Sequence, residues 1–461
     1  MHVHTDRFTR RPFASHFRGH AFVLLALIAI ALPRIASAVP SFARQTGMPC
    51  TQCHVQAFGP ALTAYGRQFK LNGYTFGKVE SYVPVALMIQ GGFSRSDAAQ
   101  PAPPVDDFHA NDNLSIDQVS LFVATRLTEH SGIFSQSTYS GEDRHFSWDN
   151  TDWRYARPMT LFGTDAVVGV SVNNNPTVQD LWNSTPAWGF PYITSPLVPA
   201  PGVAPIINGG LAGVAVGATA YAMIHEHVYL ELGGYKGLSD RWLSNVGLYP
   251  DNNIHVNGIA PYWRAAYQWG SDAHYFSVGT FGLDVKLQPD PTIPDTDHYT
   301  DIAIDGTYQY TPDNGPGAVL AQASFIHERQ QLNGTFALGG ADQASNHLDA
   351  LEADVSYVWD QTWSAGLGIF DLEGGHDFTL FGPAPLSGSV NGSPDTRGYT
   401  VQLEFIPFGK LHSFERPWIN LRLGVQYTGY LRFNGGTSGY DGFGRSASDN
   451  NSLFLFAWMA F

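Results

Sequence analysis

Trp418-Ile419-Asn420-Leu421-Arg422-Leu423-Gly424-Val425-Gln426-Tyr427-Thr428-Gly429-Tyr430-Leu431-Arg432-Phe433 alternates in character from one residue to the next. Ile419, Leu421, Leu423, Val425, Tyr427, Leu431 and Phe433 share one face. Asn420, Arg422, Gln426, Thr428 and Arg432 share the other. A period of two is the signature of a β-strand. Leu351, Ala353, Val355, Tyr357 and Trp359 repeat the pattern opposite Glu352, Asp354 and Ser356. Ile302, Ile304, Tyr308 and Tyr310 repeat it again, opposite Asp301, Asp305 and Gln309.

Such alternation belongs either to a soluble sandwich or to a barrel with lipid outside and water inside. The connections separate the two. From Tyr82 onward the pattern yields about sixteen strands, an even number as bacterial barrels have. Short connections include Glu129-His130-Ser131, Phe162-Gly163-Thr164, Trp269-Gly270-Ser271-Asp272, Pro312-Asp313-Asn314-Gly315 and Asp360-Gln361. Long ones lie near Ser96–Asn111, Asn175–Gly209, Gly237–Gly258, Leu332–Asn346, Gly374–Thr396 and Asn434–Asn450. Short periplasmic turns alternating with long outer loops are the barrel's asymmetry. The last strand places Leu453, Leu455, Ala457 and Met459 at every second position and ends on Phe461, a terminal aromatic of the kind barrel-insertion signals carry.

Composition agrees. Aromatic residues make up 13%, glycine contributes 48 residues and charged residues only 14%. A soluble domain carries more charge. The expected fold is an all-β transmembrane antiparallel barrel. The formal net charge of −15 argues against nucleic acid and suits cationic partners, metal ions or a basic carrier protein.

The front of the chain is different. Residues 1–38 read as a signal peptide, with Arg7, Arg10, Arg11 and Arg18 before an apolar run from Ala21 to Leu32. Ala36-Ser37-Ala38 supplies the small-residue cleavage site. General secretion is expected despite the Arg10-Arg11 pair, because a barrel must arrive unfolded. The chain's two cysteines both lie in Cys50-Thr51-Gln52-Cys53-His54. This is C-x-x-C-H, the attachment signal for a c-type haem, with His54 as the proximal ligand. A redox pair wants a strand before it and a βαβ unit around it, and Arg44-Gln45-Thr46-Gly47-Met48-Pro49 is neither. A zinc site needs further ligands of the right spacing, and a plain disulfide leaves His54 without a role.

The expected division is 1–38 signal peptide, 39–79 monohaem cytochrome segment and 80–461 barrel. A hydrocarbon core ~30 Å thick defeats a single tunnelling step, so a haem within the wall serves as a relay. Val39–Lys78 is therefore expected to enter the barrel as a plug, with Tyr82 opening the first strand. The alternative is a haem segment hanging in the periplasm beside an ordinary porin. The distal ligand is open: Met88 and His109 are candidates, as is open or water ligation, and Met48 lies too close to Cys50 to fold back without strain. A methionine raises the potential relative to histidine.

Other residues carry weaker signals. His225-Glu226-His227 places two histidines on one strand face but falls where a short turn is required. Arg126, Asp284, Lys286, Glu352, Asp354, Glu404, Arg422 and Arg432 are read as lumen charges, either bracing the plug or lining a wet pore. Asp106, Asp107, Asp112, Glu142, Asp143, Asp149 and Asp152 are read as loop charge at the outer rim, able to attract cations. Arg67 and Lys70 are candidate partners for haem propionates.

The join of the two parts resembles a known family, the fused monohaem cytochrome–porins of iron-oxidising bacteria. The resemblance is carried by Pro40-Ser41-Phe42-Ala43-Arg44-Gln45-Thr46-Gly47, then Cys50, Cys53 and His54, then Tyr65-Gly66-Arg67 and Phe69-Lys70-Leu71-Asn72-Gly73-Tyr74. Asn174-Asn175-Pro176-Thr177, Trp182-Asn183 and Trp188-Gly189-Phe190-Pro191 are similar to the family's barrel loops. The resemblance implies an outer-membrane oxidoreductase carrying one covalent haem c. It would oxidise extracellular Fe(II) and pass electrons to a periplasmic carrier, a cytochrome or a copper protein. Two other functions remain open: a conduit with a different donor, and a diffusion porin with a non-catalytic haem.

Overall fold

The computed structural model describes residues 41–77, 84–161, 163–248, 255–271, 273–312, 317–410 and 419–461. The leader, Tyr82, Phe162, Asp272, Asp313–Gly315 and Trp418 lie outside the described residues.

The strands are β1 Val85–Ser96, β2 Asn113–Arg126, β3 Ser131–Ser140, β4 Phe146–Leu161, β5 Thr164–Asn173, β6 Ala215–Ile224, β7 Val228–Gly237, β8 His255–Val256 and β9 Ala260–Gly270. They continue as β10 His274–Gln288, β11 Asp297–Tyr310, β12 Gly317–Gln331, β13 Ser345–Trp359, β14 Trp363–Gly374, β15 Thr396–Phe405, β16 Asn420–Arg432 and β17 Ser452–Ala460. Short β8 and β9 both pair along β10, Val256 opposite Leu287 and Tyr262 opposite Leu283, so together they form one stave. The wall therefore has sixteen staves, each antiparallel to its neighbours. It closes where β1 pairs with both β2 and β17: Gln90 faces Gln118 on one side and Trp458 on the other. Closure leaves no open sheet edge, which is what permits strands to cross a hydrocarbon layer.

The burial pattern is inverted relative to a soluble protein. On β11, Ile302 and Ile304 are 54% and 59% exposed, while Asp301 and Asp305 are 1% and 5% exposed. β13 does the same with exposed Leu351, Val355, Tyr357 and Trp359. An apolar outer face and a polar inner one identify lipid as the outside solvent. At the turn end, aromatic pairs such as Trp363–Phe405 (ring centroids 4.6 Å) and Trp269–Phe276 (5.3 Å) lie on the outer surface as an interfacial belt. The protein is a barrel of the bacterial outer membrane.

The turns fall where the sequence placed them. Asp360 and Gln361 both adopt positive φ (52° and 53°), the tight hairpin conformation. His225 and Glu226 do likewise, so His225-Glu226-His227 is a turn, and the His227 Nδ1 engages Gln268 O at 2.8 Å.

Several expectations need correction. Phe433 follows the last residue of β16 and is buried against Tyr430 and Tyr440, because strand alternation ends with the strand. Asp284 and Lys286 face outward: their neighbours Leu283 and Val285 are the buried ones, and Asp284 pairs with His298 at 2.8 Å. Arg432 binds Asp395 of a loop at 3.1 Å rather than the plug. Asp149 and Asp152 are not rim charges. Both belong to β4, and Asp152 is fully buried in the lumen.

Two segments fill the lumen. The first is residues 41–77, with helices Ser41–Thr46, Cys50–Cys53 and Ala64–Leu71. Its polar contacts reach around the wall. Gln45 Oε1 accepts from Arg126 N on β2 (2.6 Å), and Tyr74 OH donates to Asp152 on β4 (2.6 Å). Tyr221 OH on β6 donates to Leu71 O (2.8 Å), and Gln56 Nε2 donates to Ser364 Oγ on β14 (3.0 Å). The second is the connection between β5 and β6, residues 174–214, whose Val178, Leu181, Trp182 and Asn183 are buried.

Candidate functional site

Pro49 ends extended chain and opens the four-residue helix Cys50–Cys53. One turn at positions i and i+3 sets both cysteines on a single face. The His54 N–H closes the turn on Cys50 O at 2.9 Å. The chain then loops through Gly59 at φ +113° and returns, with Val55 N donating to Ala61 O and Thr63 N to Cys53 O (3.0 and 2.9 Å). Thr63 Oγ1 caps helix Ala64–Leu71 by accepting from Gly66 N at 3.2 Å. That helix passes so close to the cysteine turn that a Cβ on Gly66 would stand 2.3 Å from Cys53 O, so only glycine fits. An aromatic cluster stiffens the segment, Phe42 lying 4.9 Å from Phe69 and 5.1 Å from Tyr74.

Beside this turn is a cavity of about 500 Å³. Cys53, His54 and Phe58 border it from the plug, Met88, Phe122 and Trp458 from the wall, and Trp188 and Tyr192 from the inward loop. Cys50 is buried in a cluster with Phe58, Met88, Phe454, Phe456 and Trp458. Cys50 and Cys53 are not joined in a disulfide. Burial, and then Cys50, push the Cys53 thiol up to about 12, the opposite of the depressed thiol of a redox pair. His54 Nδ1 is buried and makes no hydrogen bond. Two cysteines one helical turn apart, an imidazole beside them and an apolar cavity bordered by Cys53 and His54 form a set of donors suited to a c-type haem.

Of the two distal candidates, Met88 borders this cavity, and its sulfur accepts from Gln90 Nε2 at 3.7 Å. His109 is exposed in the β1–β2 loop and does not border it. Met48 is also exposed. Lys70 borders the cavity, its ammonium donating to Val178 O (2.8 Å) and Asn183 Oδ1 (2.9 Å). Arg67 does not: it stacks 3.6 Å over Tyr275 and donates to Gln309 Oε1 at 3.0 Å.

Three fully buried arginines tie wall to filling. Arg422 donates to Glu404 Oε1 (3.0 Å), to Gln56 O and to Phe58 O, and lies over Phe58 and Trp458. Arg154 holds Asp152 (2.7 Å), Lys70 O and Gln179 O. Arg264 joins Asp180 of the inward loop (3.0 Å) to Asp305 of the wall (2.9 Å). Sequence alternation drew attention to Arg422 and passed over the other two. It also passed over the inward aromatics Phe454, Phe456 and Trp458. The available signal was that β17 is apolar on both faces, where a lumen-facing row is normally polar.

No family model matches the chain, and no curated protein matches it. Among solved structures it is similar to the anion-selective porin from Comamonas acidovorans, at 10% identity and TM-score 0.46, covering 83% of this chain and 100% of that one. It is similar to Pseudomonas putida OprB at 12% identity and TM-score 0.47, covering 82% and 94%. It is also similar to the outer membrane protein OmpT of Vibrio cholerae, at 10% identity and TM-score 0.42, covering 83% and 99%.

Proposed function

We propose that this chain is an outer-membrane cytochrome–porin that oxidises extracellular Fe(II) and passes the electrons to a periplasmic carrier, a cytochrome or a copper protein. One haem c would be held through Cys50 and Cys53, with the His54 imidazole and the Met88 thioether as the residues that would ligate its iron. The observation that carries this is the meeting of the C-x-x-C-H turn and Met88 at one apolar cavity inside a plugged, lipid-embedded wall. When bound, the haem supplies a one-electron Fe(III)/Fe(II) couple. The chain's own residues do the rest. The cysteine turn fixes the attachment edge, and the Gly66 contact fixes that turn. Phe58, Phe122 and Trp458 keep water from the cavity, and Gln90 orients the Met88 sulfur. Each Fe(II) gives up one electron and leaves as Fe(III) on the outer side, and each oxidised carrier accepts one on the inner side and leaves reduced. Lys70, with its ammonium at the cavity's rim, is the nearer candidate for a propionate.

The test is an anaerobic Fe(II) titration of the detergent-purified, haem-loaded protein. Reduced c-type bands should grow in with Fe(II). Bands that appear with dithionite but not with Fe(II) exclude iron as donor and leave a conduit for another. A protein that takes up no haem, and conducts ions freely in a bilayer, is a diffusion porin instead. A second measurement addresses the distal ligand. Met88→His should lower the midpoint potential and remove the sulfur–iron charge-transfer band, since thioether ligation favours the ferrous state. An unchanged potential assigns the sixth position elsewhere.

A further inference from the structure

The outer face of β10 to β13 changes character near the loops. Ile302, Phe325 and Leu351 face outward, exposed and apolar. The next outward positions toward the loops are Thr300, His327 and Asp349, and those beyond include Lys286 and Arg329. A turn from apolar to charged side chains along lipid-facing strands marks the level where hydrocarbon gives way to headgroups. β12 and β13 join at this end through the long connection 332–344, so the level belongs to the outer leaflet.

Lys286 stands opposite His298 on one side of β11, and Arg329 stands opposite Thr300 on the other. Two strand spacings across and two residues along put them about 12 Å apart at the backbone. Both are exposed, and neither forms an ion pair with a described acidic side chain. The carboxylates on the same face are turned to other partners. Asp284 Oδ2 lies 2.8 Å from His298 Nε2 and accepts from Thr300 Oγ1 at 2.9 Å. Asp349 Oδ1 lies 2.7 Å from His327 Nδ1. On the neighbouring staves the outward Arg397 is held by Asp371 and Glu373 instead. A cation at the edge of hydrocarbon is screened less than one in open water, so an anionic partner gains more there.

We infer that Lys286 and Arg329 bind the phosphorylated headgroup of an outer-leaflet lipid whose acyl chains lie on Ile302, Phe325 and Leu351. The cations and the apolar residues share the same strands, so one occupant must be anionic at one end and apolar at the other. A free anion satisfies only the first half of this face, and an uncharged lipid only the second. The Arg329 fork matches two phosphate oxygens, while Lys286 acts as a point charge. His347, opposite Arg329, adds an imidazole beside the same headgroup. The site is on the lipid side of the wall and is independent of the haem reading.

Bisphosphorylated lipid A is the probe, titrated in detergent micelles into the delipidated full chain and followed by native mass spectrometry. Wild type should retain it. Lys286→Gln with Arg329→Gln should weaken retention by roughly thirtyfold, the product of two surface cations. Lipid A stripped of its phosphates should bind the wild type as weakly. Lys236→Gln is the control. Lys236 faces outward near the loop end of β7, but its cross-strand neighbour Val216 is apolar, so its loss should leave retention unchanged. Wild-type protein that retains no lipid A overturns the inference. So does equal retention by wild type and the paired variant, or of the phosphorylated and stripped lipids. An equal loss in Lys236→Gln reduces the effect to overall charge and overturns the site. Displacement by millimolar inorganic phosphate identifies a free-anion site and overturns the lipid assignment. If the paired variant lacks heat-modifiable migration, Arg329→Gln alone decides, with roughly a fivefold loss expected.

Discussion

Arg422→Ala is expected to unseat the plug and turn a closed barrel into a conducting one. The guanidinium is wholly buried and is the single group joining Glu404 of the wall to the Gln56 and Phe58 carbonyls of the plug. Its removal leaves Glu404, itself buried, with only Gln402 Nε2 at 2.7 Å among the described residues for compensation. It also orphans two plug carbonyls and empties the space beside the contacting Phe58 and Trp458 rings, whose centroids lie 4.9 and 5.0 Å from the guanidinium. Breaking one side of a buried pair costs about 3–5 kcal/mol. The wall has continuous ladders on both sides of β16 and tolerates this, whereas the plug is held by scattered side chains. The expected readout is a rise in single-channel conductance in planar bilayers, with normal heat-modifiable migration of the barrel. Pairing Arg422→Met with Glu404→Gln should recover much of the loss, since no uncompensated charge then remains. A silent bilayer, with the plug still protease-resistant in Arg422→Ala, would show that this anchor is dispensable.

Replacing both cysteines, Cys50→Ala with Cys53→Ala, is expected to abolish covalent haem completely while leaving the barrel assembled. Thioether attachment needs the two thiols, and no other cysteine exists to substitute. The wall's hydrogen bonds run strand to strand, with β1 joined to β17 through nine residue pairs, Met88–Ala460 to Ser96–Ser452. None of them passes through the cysteine turn. Haem-dependent peroxidase staining on a denaturing gel should disappear, and intact mass should fall by one haem, iron included, plus the two sulfur atoms. Wild-type protein made beside a haem-attachment system, yet showing the mass of the bare chain, defeats the cytochrome assignment. Loss of the barrel together with the haem would show that the wall cannot close without its loaded plug.

Different physics set what was legible in the chain and what was not. Alternation such as Ile302/Asp301 is a local property of an extended backbone, so strands, faces and turns could be read residue by residue. The turn at Asp360-Gln361 is equally local. The C-x-x-C-H turn is readable because its whole spacing falls within five residues. The inner architecture was not readable. Asp152 looked like rim charge because nothing local announces that β4 carries it into the lumen beside Arg154 and Tyr74. His109 and Met88 looked equivalent until the fold put one in an exposed loop and the other in the cavity wall. The inward loop also looked like any other long outer connection.

The chain's order of residues alone specified a lipid-facing wall of about sixteen strands and a C-x-x-C-H turn ahead of it, because period, turn chemistry and motif spacing act over a few neighbouring residues. Only closure of the wall decided that the plug fills it and that Met88 shares a cavity with His54. Those contacts join positions far apart in sequence, 364 residues in the case of Arg422 and Phe58, and side chains so separated become neighbours only when the first and last strands pair.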